Sequence, residues 1–475
     1  MYRINRERIK TYILMVLIAL SIIQVGILLD YQSHGFPTNF LQAFLDKINV
    51  VSPDSSEKAR EKYFNPYRVI ASNGNGSHWL LPREGEAFTQ LWQEGASYLS
   101  RVLDDKPALV LPAEEWENLV TKRTFIFEFK SNIDSNLLKW FLSKSGSDTP
   151  ELDSVYKMAM LPWEDINHGT NTIYLKDGKA IYKYLIRFNP GGMDRDKYSN
   201  LMTSFETGKE YQDKLYKVIK ELDPERKRLK NIDPDIPVAA IGPKFRSYKK
   251  LRWFIPENVS SMSDMAGIVL GIERAGYNRS IDIYDTIVFK TTDDVYRIFS
   301  NGLMEYKYIP GAQSDGAGDI GSAFMNAFRF IESMEKQLVS GADIYLSGMG
   351  KIEGGGYRFT FDYMVDNLPV VINYGQMGND LKPVRNAIEI TANGKRVLDC
   401  RWILKGFETV GREEAYNVSF EALSRSLNLS SLEADDLAVS YMVESDEAMG
   451  ISPSWIIEVH DGQNIAIPLQ FREGD

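Results

Sequence analysis

The sequence predicts an α+β fold of several extracytoplasmic domains behind a single N-terminal transmembrane helix. One uncharged apolar run near the N-terminus has the length needed to cross a bilayer. Further along, short strands of alternating polarity flank Asn-Gly and Asp-Gly turns, which is typical of antiparallel hairpins. Stretches with apolar residues at helical spacing separate these hairpins. Helices packed on antiparallel sheets define the α+β class.

The composition alone excludes several classes of protein and several kinds of site. The 475 residues, at roughly 150 per domain, predict about three domains. A formal net charge of -10 disfavours nucleic-acid binding, and a hydrophobic content of 44% excludes both a wholly disordered chain and a polytopic membrane protein. Because Cys400 is the only cysteine, no intramolecular disulfide and no thiolate-cluster metal site can form.

Residues 11–29, TYILMVLIALSIIQVGILL, are predicted to form the transmembrane helix. At 1.5 Å per residue this run spans about 28 Å, close to the hydrocarbon thickness. The positive-inside rule predicts a cytoplasmic tail over residues 1–10 and an extracytoplasmic location for the chain after residue 30. The topology determinants are the basic residues Arg3, Arg6, Arg8 and Lys10. A cleaved signal peptide is the alternative, but no small-x-small cleavage site follows the run.

Two polar residues within this run predict a contact in the membrane. Ser21 and Gln24 lie on one helix face, with Leu17 and Leu28. In hydrocarbon, a side-chain amide gains from hydrogen bonding to another helix. Ser21 and Gln24 are therefore predicted to contact a membrane partner. The alternative is that an apolar helix simply tolerates one glutamine.

The exported chain is predicted to consist of a connecting segment and three domains. Residues 30–63 are assigned to a juxtamembrane amphipathic helix followed by the polar spacer VSPDSSEKAREKY. The boundaries between domains are placed at the linkers LDPERKRLKNIDPDIP and PGAQSDGAGD. The predicted extracytoplasmic domains are 64–232, 233–310 and 311–475.

The pattern assigns helices and hairpins to each domain. Apolar spacing predicts helices at 85–103, 113–121, 196–221, 264–276, 320–338 and 414–428. The predicted strands include TFIFEFK, TIVFK, YRIFS, EYKYI, YRFTFDYMV, PVVINY and WIIEVH. Hairpin turns are predicted at Asn73–Gly76, Asp177-Gly178, Asn393-Gly394 and Asp461-Gly462.

The sequence contains no short motif that indicates catalysis or metal binding. H-E-x-x-H, G-x-S-x-G and Walker A strings are absent. GAGDIG fits a dinucleotide pattern, but Asp319 would oppose a pyrophosphate, so a linker and a helix start are predicted. His78 is predicted to be an exposed turn residue, and Asp435-Asp436 a solvated acidic pair. No catalytic residue, cofactor site or metal site is therefore predicted.

A short basic N-terminus and one apolar run are followed by three longer segments, NPYRVIASNGNGSHWLL, GGGYRFTFDYMVDNLPVV and IEITANGKRVLDCRWIL. In these features the chain resembles the YycH family, membrane-anchored regulators of the WalK–WalR (YycG–YycF) two-component system in Gram-positive bacteria. The closing SPSWIIEVHDGQNIAIPLQF is similar to PepSY-type modules, which implies a PepSY-like C-terminal part.

The resemblance implies a non-catalytic regulator in the cell membrane. It would modulate a WalK-like sensor histidine kinase that controls cell-wall metabolism, through transmembrane and extracytoplasmic contacts and beside a YycI-like partner protein. Two alternatives stay open: an extracytoplasmic cell-envelope hydrolase, and a binding or inhibitory module for an exported protease. A cleft with converging carboxylates would favour an enzyme, whereas broad surfaces without titratable clusters would favour a regulator.

Overall fold

The computed structural model describes residues 53–471. It leaves out 145–151, 166–168, 190, 213–214, 226–228, 230, 240–244, 255–277, 282–285, 291, 300, 310–317, 340, 354, 375–382, 427–432, 445–449 and 460–463. The predicted span 11–29 lies outside the described residues, as does the predicted helix at 264–276. Within the described part, no helix combines the length and apolar character needed to cross a bilayer.

Helices separate runs of consecutive strands along the described chain, as expected for the α+β class. The helices are α1 (Pro53–Tyr63), α2 (Glu86–Val102), α3 (Trp116–Leu119), α4 (Ser135–Phe141), α5 (Arg195–Thr207), α6 (Lys209–Gln212), α7 (Ile219–Leu222), α8 (Ile320–Leu338) and α9 (Phe420–Ser426). The first strands are β1 (Arg68–Asn73), β2 (His78–Leu81), β3 (Leu109–Pro112), β4 (Arg123–Asp134), β5 (Ser154–Leu161), β6 (Thr170–Lys176), β7 (Ala180–Arg187), β8 (Leu215–Val218) and β9 (Pro237–Ala239). The middle strands are β10 (Phe245–Phe254), β11 (Asn278–Ile281), β12 (Ile287–Lys290), β13 (Asp294–Ile298) and β14 (Leu303–Tyr308). The last are β15 (Asp343–Lys351), β16 (Tyr357–Val365), β17 (Leu368–Asn373), β18 (Ile388–Ala392), β19 (Val397–Ile403), β20 (Gly406–Asn417), β21 (Ala434–Glu444), β22 (Ser454–Val459), β23 (Asn464–Pro468) and β24 (Gln470–Phe471).

The strands form two large sheets and one small one. The first sheet has the order β3-β7-β6-β5-β4-β1-β2-β8-β9. The C-terminal sheet runs β11-β12-β13-β14-β19-β18-β16-β17-β21-β22-β23, with β15 paired to β16, while β10, β20 and β24 form the small sheet. Among the described pairs, β17 and β21 are parallel and the other named strand pairs are antiparallel. The α+β class is confirmed.

Turn chemistry correctly located the hairpins. β1 and β2 pair on either side of Asn73–Gly76, where Gly74 has φ of +80°. β6 and β7 pair around Asp177-Gly178, and β18 and β19 around Asn393-Gly394. Gly74 and Gly76 supply positive φ angles in the first of these turns, whereas the turns at Gly178 and Gly394 form without one.

An apolar core joins the first sheet to the C-terminal sheet. Phe125 and Phe127 of β4 are fully buried in this core. The Phe127 ring lies 5.7 Å from that of Trp92 in α2, and the Phe125 ring lies 5.5 Å from that of Tyr198 in α5. Phe324 of α8 lies in the same core, with its ring 5.6 Å from Trp140 and 5.1 Å from Phe141 of α4. The two sheets therefore share one hydrophobic core.

Helix α8 begins as the sequence predicts, at Asp319 within GAGDIG. The Asp319 carboxylate accepts a hydrogen bond from the Ser322 backbone N–H at 2.9 Å, as an N-cap does. A Cβ on Gly321 would lie 2.2 Å from Trp140 Cδ1, so this glycine permits close packing of α8 on α4. The interpretation of this segment as a helix start is confirmed.

Three assignments were wrong in extent. The predicted helix 196–221 breaks after Thr207, because Gly208 continues in extended conformation and β8 follows. The predicted linker 222–237 ends in β9, and its Asp235 is buried. The predicted helix 414–428 is shortened to α9 because β20 extends to Asn417.

The division into domains at 232 and 310 stays a prediction. Strand β9 completes the first sheet, and β14 pairs with β19. The polar spacer before residue 64 contains α1, whose Tyr63 packs on Phe324 and Phe361.

Candidate functional site: a charged cavity between the two large sheets

A row of charged residues crosses the first sheet. Arg68 of β1 stands opposite Glu128 of β4, Glu128 opposite Lys157 of β5, and Lys157 opposite Lys176 of β6. Residues directly opposite each other on paired strands project from the same face. We call these four residues the first-sheet row.

A second row crosses the C-terminal sheet. Asp436 of β21 stands opposite Glu458 of β22, which stands opposite Asn464 of β23. We call these three residues the C-terminal row. It is acidic, whereas the first-sheet row contains three cationic residues and one acidic residue.

The two rows meet through ion pairs. Arg68 lies 2.6 Å from Glu128 of its own row and 2.6 Å from Asp436 of the other. Lys130, also on β4, bridges Asp436 at 3.1 Å and pairs with Glu458. The contacts of Arg68 and Lys130 with the C-terminal sheet join residues separated by more than 300 positions in the chain.

A further ion pair, between Lys157 and Asp235, extends the network on the first sheet. Lys157 lies 3.1 Å from Glu128 and also pairs with Asp235, which precedes β9. The exposed fractions of the Lys157 and Asp235 side chains are 5% and 3%. Since a buried charge requires a partner, each of these groups keeps the other in place.

The strands β15 and β16 form the third wall. Tyr345 of β15 stands opposite Asp362 of β16. Ile344 belongs to the apolar core, so alternation along β15 directs Tyr345 away from that core. Asp362 accepts hydrogen bonds from the Ala387 backbone N–H at 2.8 Å and from Asn386 Nδ2 at 3.1 Å.

These three walls enclose a cavity of about 650 Å³. This volume is within the range of roughly 300–1,000 Å³ that is usual for small-molecule sites. Seven carboxylates line it against four cationic side chains. The carboxylates outside the two rows are Asp177, Asp233, Asp362 and Asp435. The lining therefore has an acidic balance.

The environment moves several pKa values in opposite directions. Burial alone would raise the pKa of Asp436, but the charges of Arg68 and Lys130 hold it well below its usual range. Burial and the neighbouring Asp235 raise the pKa of Asp233 to about 6. Burial also raises the pKa of Asp362, against the hydrogen bonds that it accepts. Asp436 is thus fixed as an anion, whereas Asp233 and Asp362 hold a proton more readily.

Two predicted placements were wrong at or near this site. Asp436 is 9% exposed and paired, not a solvated acidic residue. His78 is fully buried, with Nε2 3.0 Å from Glu221. Among the residues with a described placement, no group of histidine, cysteine and acidic residues has the arrangement needed to hold a metal ion.

The predicted contact residues Ser21 and Gln24 lie outside the described residues, as do Arg3, Arg6, Arg8 and Lys10. Sequence reasoning did not identify the charged cavity. One signal was present in the sequence. Three of the contributing strands have a charged residue inside an apolar run: Glu128 in TFIFEFK, Lys157 in SVYKMAML and Asp362 in YRFTFDYMV. Such residues are rarely buried unless paired.

No protein-family model matches the chain, and no curated protein matches it. A crystal structure of YycH from Bacillus subtilis aligns with a TM-score of 0.54 at 10% identity, covering 86% of this chain and 96% of that one. The chain has the YycH fold. A crystal structure of an uncharacterized protein from Eubacterium rectale gives a TM-score of 0.26 at 10% identity, over 51% of this chain and 86% of that one. Only the likeness to YycH bears on the argument, and it concerns the fold.

Proposed function

We propose that this chain is a membrane-anchored, non-catalytic regulator of a sensor histidine kinase of the WalK type. Its extracytoplasmic part contacts the kinase or a YycI-like partner, and its anchor helix packs against the membrane helices of the complex. A coupling of about 1–3 kcal/mol between two kinase states would change output roughly 5- to 150-fold. The cell-wall role and the PepSY-like character of the C-terminal part belong to the same proposal.

The observation that supports this proposal is the YycH fold over most of the chain. The resemblance of the segments around β1, β16 and β18 to the YycH family supports it independently of the backbone. The basic residues before an uncharged run of bilayer length support the predicted topology.

The charged cavity requires that the hydrolase alternative be considered, because it holds converging carboxylates. Glycoside hydrolysis needs one carboxyl group as an acid and a second as a base or nucleophile. Asp436, Glu128 and Glu458 are instead paired with Arg68, Lys130 or Lys157. Such pairing opposes the proton transfer that a general acid must perform, so these three carboxylates do not supply one. An enzyme acting here would have to use Asp233, whose pKa is raised to about 6, and the fold likeness to YycH favours the regulator.

The test is crosslinked co-purification from membranes, followed by mass spectrometry of the captured proteins. The full chain should recover a sensor histidine kinase. Replacement of Gln24 by Leu should reduce that recovery, because the helix loses its amide hydrogen bond in hydrocarbon. The matched control Ile22→Leu, on another side of the predicted helix, should leave recovery unchanged.

Two results would contradict the proposal. One is capture that never includes a histidine kinase at crosslinking efficiencies that retain other membrane proteins. The other is resistance of the folded part to protease added outside intact cells, since that part is proposed to face outward.

A further inference from the structure

A second, smaller cavity of about 100 Å³ lies where the three sheets meet. It is lined by Tyr216 of β8 in the first sheet, Arg246 of β10 in the small sheet and Trp455 of β22 in the C-terminal sheet. Arg68 of β1 also lines it, so we call it the arginine cavity. Among the described residues that line it, none is an aspartate or a glutamate. Its charge balance is therefore opposite to that of the charged cavity.

Arg246 has no counter-ion among the described residues. Its Nη1 donates a hydrogen bond to the hydroxyl of Tyr216, and its guanidinium carbon lies 4.4 Å from the centre of the Tyr216 ring. Its Nε is buried without a hydrogen-bond partner, and no described carboxylate forms an ion pair with it. Arg68 differs, since Glu128 and Asp436 neutralise it. Because an arginine keeps its proton in a protein and a buried charge requires a partner, Arg246 indicates a bound anion.

Trp455 provides a second, independent observation. Its side chain is 4% exposed, and its indole Nε1–H has no hydrogen-bond partner within the described part of the chain. Buried donors normally have an acceptor, and the indole N–H can only donate. A water molecule would satisfy the donor of Trp455, but it would not neutralise Arg246. The two side chains together therefore point to one ligand that is negatively charged and accepts hydrogen bonds.

The walls and the volume of the arginine cavity select the class of anion. Much of the wall is apolar, with Leu80, Val418, Leu437 and Val439 among its members. Such a wall favours an anion with an alkyl part over phosphate or sulfate, whose additional oxygens would lack donors. A planar carboxylate also matches the fork of a guanidinium group. Since a cavity of about 150 Å³ can hold benzene, this one accommodates roughly four to five non-hydrogen atoms.

We propose that the arginine cavity binds a small carboxylate of the size of acetate or propionate, held by the guanidinium of Arg246 and the indole N–H of Trp455. Tyr216 positions the guanidinium from the first sheet. Because these side chains belong to three different sheets, the bound carboxylate would link the small sheet to the two large ones. This site goes beyond the proposed function and does not depend on it, since binding is measured on the purified chain alone.

The test is titration of the full chain with propionate in an uncharged detergent at constant ionic strength. Saturation-transfer nuclear magnetic resonance of the ligand measures the binding, because it detects weak complexes. Propionate should bind, whereas propionamide, which has nearly the same shape and no charge, should not. Arg246→Gln should weaken propionate binding at least about tenfold, as expected for the loss of a charge-assisted hydrogen bond. Trp455→Phe should weaken it about threefold, as expected for the loss of a neutral hydrogen bond.

The matched control is Arg252→Gln, which removes an exposed arginine of the same strand β10 that pairs with Glu408 outside the cavity. This variant should bind propionate as the natural protein does. Circular dichroism checks that each variant is folded, and Trp455→Phe keeps the test valid if Arg246→Gln unfolds. Four outcomes would overturn the proposal: no binding of propionate, equal binding of propionamide, equal weakening by Arg252→Gln, or binding of inorganic phosphate without binding of propionate. Such a failure would leave capture of the kinase untouched, so the two proposals are separable.

Discussion

The two large sheets meet in two regions with opposite chemistry. In the apolar contact, which is formed by helices that flank the sheets, Phe324 of α8 packs against Trp140 and Phe141 of α4 and against Tyr63 of α1, with ring centroids 5.1 to 5.9 Å apart. In the charged cavity, of about 650 Å³, Arg68 and Lys130 of the first sheet form ion pairs with Asp436 and Glu458 of the C-terminal sheet. Buried apolar area stabilises the fold at any pH, whereas paired charges contribute little net stability and depend on protonation.

The contrast indicates a division of roles between the two regions. The apolar contact supplies most of the stability that holds the two sheets together, and the charged cavity adds ion pairs between specific residues of the two sheets. Each of the following experiments tests that division.

The largest effect is expected from truncating the apolar contact. Phe324→Ala removes a fully buried ring and should lower the free energy of unfolding by about 3–5 kcal/mol. Urea unfolding of the full chain in detergent measures this. The matched control Phe471→Ala, at a side chain that is 51% exposed, should cost less than about 1 kcal/mol. If the two variants lost equal free energy of unfolding, the claim that the apolar contact holds the two sheets together would be contradicted.

A smaller, pH-dependent effect is expected in the charged cavity. The pKa of Asp233 is raised from 3.8 to about 6, so its ionisation destabilises the fold as pH rises through that range. Asp233→Asn should therefore stabilise the protein at pH 7 by on the order of 2 kcal/mol, and the difference should vanish below pH 4.

Asp436→Asn is the control, because it should change the stability at pH 7 in the opposite direction. The lowered pKa of Asp436 contributes stability above about pH 4 that is lost as pH falls further. This variant should therefore be less stable than the natural protein at pH 7 and approach it in acid. Unfolding curves of both variants at several pH values measure these differences in stability. If both substitutions changed the stability at pH 7 with the same sign, the environments assigned to Asp233 and Asp436 would be contradicted.

The sequence predicted what depends on local chemistry. Asn73–Gly76 and Asp177-Gly178 determine hairpins through a few adjacent residues, and the apolar spacing around Phe324 determines α8. The break after Thr207 was missed because β8 is only four residues long and gains its stability from pairing with β2 and β9. Tertiary pairing of this kind overrides local propensity.

The charged cavity could not be predicted because its contacts are remote along the chain. Arg68 and Asp436 are 368 positions apart, and nothing near Asp436 distinguishes it from a surface carboxylate. Glu128 was the better clue, since it interrupts the phenylalanines of TFIFEFK. A single sequence shows that such a residue needs a partner but does not identify Lys157 or Arg68 as that partner.

The most direct test of the central claim, that opposite charges join the two large sheets, is a double-mutant cycle between Arg68 and Asp436. Arg68→Met and Asp436→Asn, alone and together, should give a coupling energy of at least about 1 kcal/mol in urea unfolding at pH 7. The exposed pair Arg425 and Glu421, treated in the same way, should give less than about 0.5 kcal/mol. Additivity of the Arg68 and Asp436 effects would contradict the claim.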